Sequence, residues 1–366
     1  MRIVALSLLL GCDAPSQCDA FTLKTVPAAT GFGPNAMILA DLDGDGRIDV
    51  VTANYGSDTI SVLRGNSGAT FATHVDLPAG QQATSVAAAD LNSDGVLDLV
   101  TANFGSDSVS VFLGKGDATF SPPINLMTSR YPTSIAAGDV SRDGRIDLVV
   151  ASSGNNAVDV LLGNGDGTFA SAVNYPTGAG PNSILLVDLT GKGWPDLVTA
   201  DYTDGTASVL FGVGDGTFTA ATSYPMDRGS FFVAAADLNN DHLPDLVTAN
   251  FDANDVTVRL NSLANGFGAP HNYPTGKNPT AVSIADLNLD ARNDLAVTSS
   301  GDDRIGILVG NGGGEFDPHR DFATGRRPVA SAVADIDLDG RPDLVTADAV
   351  DSTVTVVLAT DCALSY

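Results

Sequence analysis

Along most of the chain, short apolar runs alternate with clusters of Asp, Gly and Asn, and no run keeps the 3.6-residue period of an amphipathic helix. Residues 84 to 114 show the unit: "TSVAAADL" (84–91), an acidic loop, "DLVTANF" (98–104), then "SVSVFLG" (108–114), with a further strand opening at Phe120. Segments of this length, bounded by turn formers, read as β-strands. The first segment is rich in alanine in several copies ("SVAAAD", "SIAAGD", "FVAAAD"). Small residues of this kind are expected on the innermost strand of a radial arrangement.

The unit recurs without insertion or deletion. Its first aspartate returns at Asp41, Asp90, Asp139, Asp188, Asp237, Asp286 and Asp335, always 49 residues on, and an aromatic keeps the same period at Phe71, Phe120, Phe169, Phe218, Phe267 and Phe316. A period near 50 filled by four short strands predicts an all-β fold, a seven-bladed β-propeller of 49-residue four-stranded repeats. That regularity overrides the two or three domains that the length of 366 residues would imply. The seventh copy stops after its third strand, "STVTVVLATDCALSY". Residues 21 to 26 are expected to supply the missing outer strand and close the ring, so that the propeller spans residues 21–366.

Four aspartates within nine residues (Asp41, Asp43, Asp45, Asp49) repel one another unless protonated or paired. The template D-x-[D/N/S]-x-D-G-x-x-D offers side-chain oxygens at positions 1, 3, 5 and 9 and a backbone carbonyl at position 7, a donor set suited to Ca2+. Position 12, where an EF-hand needs a bidentate glutamate, is Thr52, Thr101, Val150, Thr199, Thr248, Val297 and Thr346, and a strand follows each loop, so these are not EF-hands. Six sites are predicted. The first comprises Asp41, Asp43, Asp45, Arg47 and Asp49; the second Asp90, Asn92, Asp94, Val96 and Asp98; the third Asp139, Ser141, Asp143, Arg145 and Asp147. The fifth comprises Asp237, Asn239, Asp241, Leu243 and Asp245; the sixth Asp286, Asn288, Asp290, Arg292 and Asp294; the seventh Asp335, Asp337, Asp339, Arg341 and Asp343. His242 and Ala291 replace the glycine that turns the loop, which predicts weaker binding in blades 5 and 6. The fourth copy, "DLTGKGWPD", has Lys192 at position 5, and its ammonium is expected to sit among Asp188, Thr190 and Asp196 in place of a metal. The alternative, that the aspartates are solvated turn formers, needs only one such residue per turn.

With these residues in view the chain resembles the bacterial VCBS and FG-GAP repeat proteins and is similar to the propeller of integrin α subunits. "FGAP" at 267–270 echoes their Phe-Gly…Gly-Ala-Pro motif. The resemblance spans residues 21 to 366 and implies a calcium loop joining the first two strands of a blade.

The N-terminus, "MRIVALSLLLGCDAPSQCDA", resembles a bacterial lipoprotein signal. That resemblance implies removal of residues 1–11, lipidation of Cys12, a short linker over 12–20, and export to the cell envelope, the cell surface or the medium. A mis-assigned start or an ordinary buried segment is the alternative. Cys18 and Cys362 both fall in the turn between the third and fourth strands of the composite blade, so a disulfide is expected there, against two free thiols. The net charge of −26 lacks the basic footprint of a nucleic-acid binder, while 43% hydrophobic residues set the chain apart from disordered acidic segments. No apolar stretch reaches the roughly 18 residues of a membrane-spanning helix.

The inter-blade loops carry Arg130, Arg228, Lys277, Arg326 and Arg327 at two adjacent repeat phases, and the neighbouring hairpins present Tyr55, Phe104, Tyr202 and Phe251 at another. Together they are expected to form a rim that receives an anionic polysaccharide or a carboxylate-bearing protein loop. The alternative is that the cations offset the acidic field and the aromatics pack between blades. The histidines (His74, His242, His271, His319) form no catalytic constellation and show no zinc spacing, and the lone Trp194 is expected to pack. The sequence therefore predicts a monomeric binding or adhesion module and not an enzyme. A polyuronate lyase-like enzyme using bound calcium, or a purely structural scaffold, stands as the alternative.

Overall fold

The computed structural model describes residues 25–262 and 266–359. Seven four-stranded antiparallel sheets form the ring, and each follows the same order from axis to rim. In blade 2 the strands are Ala83–Ala89, Asp98–Asn103, Ser108–Phe112 and Ile124–Met127, with Ala89 opposite Asp98 at the neck of the acidic loop. The seven-bladed all-β architecture expected from the 49-residue period is the one observed.

The outer strand does not open at the repeating phenylalanine. Phe120 forms an isolated bridge back to Gly114, and the outer strand begins four residues later at Ile124. The aromatic is held in the interior instead, where its ring is worth more than on an edge strand. The closing strand shows the same offset: Thr25–Ala29 pairs with Thr353–Val357, Thr25 facing Val357 and Ala29 facing Thr353. The N-terminal segment thus completes blade 7 as expected, with the strand displaced from 21–26 to 25–29. Pro27 lies on this outer edge, where the ladder does not require its missing N–H. Cys12, Cys18, Cys362, Phe21 and the segments 1–11 and 12–20 lie outside the described residues.

Every second strand is buried along its whole length, as in Asp98–Asn103 and Asp147–Ser152. The cause is stacking of the blades face against face. Leu99 packs with Val51 and Ala53 of blade 1, while its neighbour Val100 packs with Leu148 and Val150 of blade 3. A strand covered on both faces reads as a continuous apolar run, the pattern of "DLVTAN". The joint between blades 7 and 1 is built likewise, from Val345, Val354 and Val356 against Met37, Val50 and Leu63.

A buried polar line crosses six of the seven sheets; in blade 6 the Ser299 hydroxyl has no partner among the described residues and Gly306 takes the middle position. In blade 2, Thr101 donates to Asn103, Asn103 to Ser110, and Ser110 to Asn125 on the outer strand. Blades 4 and 7 replace the asparagine with Asp201 and Asp348, which accept from Ser208 and Thr355. The outer strand decides which is used. Opposite Ser208 and Thr355 stand Ser223 and Pro27. In blades 1, 2 and 5 an acceptor, Asp76, Asn125 or Asn272, takes the middle hydroxyl's proton.

Burial pushes the Asp348 carboxyl up from 3.8 to about 6, against hydrogen bonds from Thr355 and Thr346 that pull it down. A carboxyl that holds its proton more tightly when folded favours the fold fully below pH 4, and that contribution is lost as pH rises through 6. Asp348→Asn is therefore expected to flatten the fall in unfolding free energy between pH 4 and 7.5 by roughly 2–3 kcal/mol. Urea melts of both proteins at the two pH values measure this, and parallel pH profiles would refute it.

Candidate metal centre

Each acidic loop wraps its backbone around its first aspartate. Asp41 accepts from the Asp45 and Gly46 amides at 3.2 and 2.9 Å. The same pair of bonds recurs in all seven loops, for example at Asp90, Asp237 and Asp335. Aiming successive amides at one carboxylate requires left-handed backbone at positions 4 and 6. Position 6 has φ between +65° and +87° in every copy, His242 (+69°) and Ala291 (+65°) included. A left-handed backbone costs these two residues, which carry a Cβ, of order 1–2 kcal/mol each. Position 4 is left-handed too, at Leu289 (+62°) and Leu338 (+64°) among others, which the glycine pattern alone did not signal.

The ninth position is the most constrained. Asp147 is fully buried and accepts from the amide of Val140 at 3.0 Å and from that of Gly163, sixteen residues on, at 2.7 Å. Gly163 comes so close that a Cβ there would lie 2.1 Å from the Ile146 carbonyl. Equivalent bonds tie Asp49 to Leu42 and Gly65, and Asp343 to Ile336 and Ala359. Burial is the largest influence on these groups and raises them all; Asp245, Asp294 and Asp343 stand at about 6. Backbone hydrogen bonds work against that shift, and the neighbouring loop aspartates add to it.

In blades 1 and 7 the carboxylates converge. Asp41, Asp43 and Asp49, and likewise Asp335, Asp337 and Asp343, each bring one oxygen within 4.8 Å of the others. Three hard anionic oxygens at that separation fit a divalent cation such as Ca2+, which would neutralise their repulsion. In blades 2, 3, 5 and 6 the third position is neutral. Asn92 donates to Asp94, Asn239 to Asp241 and Ser141 to Asp139, while Asn288 accepts from the Asp290 amide.

Position 5 departs from the expected ligand set. Asp45 and Asp143 turn outward to the guanidinium groups of Arg47 and Arg145, and Asp290 lies 3.9 Å from Arg292. The amides of the position-7 residues Arg47, Val96, Arg145, Leu243, Arg292 and Arg341 all donate to the position-5 carboxylate. Lys192 takes position 5 in blade 4. It is exposed, and among the described residues it forms no ion pair with Asp188 or Asp196, although its charge lowers Asp196 slightly. Asp188 is instead served by the Thr190, Lys192 and Gly193 amides. The built-in cation expected in blade 4 is therefore absent from its centre.

The opposite face holds the inter-blade loops. Arg130 lies in the loop before the inner strand of blade 3, and Arg228, Lys277 and the pair Arg326 and Arg327 lie in those before blades 5, 6 and 7. Hairpin aspartates meet them: Asp302, Asp351 and Asp303 accept the amides of Lys277, Arg326 and Arg327, and Asp351 also binds the Arg326 guanidinium at 2.6 Å. Asp58, Asp107 and Asp204 hold the loops at Gln82, Tyr131 and Ala179 in the same way. These aspartates share the 49-residue period, the signal that could have revealed them, and on this face they outnumber the cations. The aromatics do assemble. Phe104 stacks on Tyr131 at 4.8 Å and lies 6.5 Å from Tyr55, while Phe231 stacks on Phe251 at 5.5 Å with Tyr202 edge-on to both. Trp194 packs as expected, under Arg142 of blade 3 at 5.3 Å.

Solved structures share this ring. BBS1N in complex with ARL6DN superposes with a TM-score of 0.66 at 12% identity, covering 93% of this chain and 97% of that one. A catalytically inactive virginiamycin B lyase from Staphylococcus aureus with quinupristin gives 0.62 at 16% identity, covering 92% and 99%. A protein from Lactobacillus plantarum gives 0.63 at 15%, covering 81% and 86%. At such identities the likeness is one of fold alone. No curated protein matches by sequence. The FG-GAP-like repeat matches residues 41–101, 95–150, 139–199, 188–248, 237–297 and 286–346. With the acidic loop seated between the first two strands of every blade, the chain belongs to the FG-GAP-like repeat family.

Proposed function

We propose that this protein is an exported, calcium-stabilised binding module, in which divalent ions pin the acidic loops and the inter-blade-loop face presents the ligand surface. The convergence of Asp41, Asp43 and Asp49, repeated at Asp335, Asp337 and Asp343, carries the reading. These centres lack a bidentate position-12 glutamate and keep their first and third aspartates partly exposed. Such sites belong with the weaker calcium modules that fill only outside cells, which supports export to the cell surface. The bound ion supplies charge neutralisation; the chain's own amides orient Asp41 and Asp335, and burial immobilises Asp49 and Asp343.

An ion that binds only the folded state stabilises it by linkage, about 2.7 kcal/mol per site at a hundredfold excess over Kd. Two sites then raise Tm by roughly 10 °C for a domain of this size. The comparison is a melt in EDTA against one in excess calcium, with elemental analysis of the dialysed protein. Replacing Asp43 and Asp337 with Ala should remove most of the shift. Identical melting in both buffers would end the proposal. Calcium-dependent turnover of polyuronates would replace the binder with a lyase.

A further inference from the structure

The inner strands leave a cavity of about 380 Å³ on the axis, at the end where the inter-blade loops lie. All seven blades contribute to its wall, through the first half of each inner strand, and among the described residues no charged side chain lines it. In a protein of net charge −26 a wall without ionised groups is a distinctive place. It also lies apart from the aspartates and cations that ring the face above it.

Two features of the wall define what fits. Aromatic rings flank the mouth on opposite arcs: Tyr55 and Phe104 come from blades 1 and 2, and Phe231 from blade 5, three blades further round a ring of seven. Phe104 and Phe231 are each held by a stacked neighbour, Tyr131 and Phe251, so their faces are fixed before any ligand arrives. Rigid aromatic surface of this kind binds at low entropic cost.

Below them runs a belt of hydroxyls and amides. Ser85, Ser134 and Ser183 accept the amides of Ile135, Ile184 and Val233, which leaves each hydroxyl proton without an acceptor among the described residues. Asn35 and Asn182 donate their NH2 groups to the carbonyls of Thr84 and Phe231, and their amide oxygens have no donor among the described residues. The belt therefore offers both donors and acceptors, all uncharged.

We propose that this axial cavity binds an uncharged ring ligand rich in hydroxyls, the end of a neutral oligosaccharide, between the Phe104 and Phe231 rings. A pyranose presents an apolar C–H face to an aromatic ring and equatorial hydroxyls to the belt. An anionic sugar would have to leave water for a cavity without a cation, which costs several kcal/mol. The volume falls in the range of small-molecule sites. The inference rests on the binding-module reading and replaces the anionic ligand expected from the rim cations.

The test is calorimetric titration, in calcium, of neutral tetrasaccharides in gluco-, manno-, galacto- and xylo-configurations, with tetragalacturonate as the charged comparison. At least one neutral probe is expected to bind with Kd on the order of 1 mM or tighter, unchanged by added salt. Phe104→Ala and Phe231→Ala should each weaken it tenfold or more, while Phe104→Tyr, which keeps the ring, should retain it. Tyr55→Ala, at a half-exposed wall position, should weaken it also and serves if either Phe variant fails to fold. Absence of neutral binding, preference for the uronate, or indifference to the Phe104 and Tyr55 substitutions overturns the proposal. Since the calcium-dependent melt reads the metal loops alone, its persistence without sugar binding rejects this site and spares the earlier reading.

Discussion

A chain that begins at residue 30 is expected to lose its single cooperative melt, because the ring is then open between blades 7 and 1. The closing strand contributes five paired residues against Thr353–Val357, and Ala28 packs on the cluster formed by Val354, Val356 and Met37. Four or five ladder hydrogen bonds at about 1 kcal/mol each amount to some 5 kcal/mol before apolar contacts are counted. For a domain of this size that corresponds to a drop in Tm of roughly 10 °C. The freed edge of Thr353–Val357 also exposes unpaired backbone groups, which invites pairing with a second copy. Light scattering should therefore show oligomers that a chain starting at residue 21 does not form. A peptide spanning residues 21–31, added in excess, should restore the melt by strand addition. Unchanged stability in the shortened chain would mean that the packing of blade 7 against blade 1, without the fourth strand, suffices to hold the ring.

Asp147→Ala is expected to cost about 3–5 kcal/mol, more than loss of any single metal contact. The substitution strands the buried amides of Val140 and Gly163, and each unmet donor costs about 1–3 kcal/mol. It also unties the acidic loop from the turn that starts the outer half of the blade. Those two bonds are made by the chain itself, so most of the loss should persist in EDTA. Asp139→Asn offers the contrast: its carboxylate serves exposed amides of Asp143 and Gly144, so the substitution should matter chiefly when calcium is present. Urea unfolding of both variants in the two buffers separates the roles. If Asp147→Ala is silent in EDTA, the ninth aspartate is a ligand and nothing more.

The two experiments concern different scales of one design. Strand Thr25–Ala29 closes the toroid once, whereas the ninth aspartate closes every blade upon itself. The ring supplies repetition, and the strict period keeps the acidic loops on one face and the aromatic mouth on the other.

Local chemistry along the chain was enough to read the blade count, the strand order and the composite seventh blade. Strand and turn preferences act over a few residues, and a 49-residue period without gaps repeats them seven times. The acidic loops were legible for the same reason, down to the left-handed backbone at His242 and Ala291. Partnership was not. Asp45 faces Arg47 and not the centre, Asp147 serves an amide sixteen residues away, and Arg326 is neutralised by Asp351, 25 residues on. Whether a blade buries Asn103 or Asp348 depends on whether its outer strand brings Asn125 or Pro27 alongside. Backbone conformation is a property of neighbouring residues, but a hydrogen bond belongs to two groups that meet only once the sheets have stacked, and that meeting is decided by the closed ring.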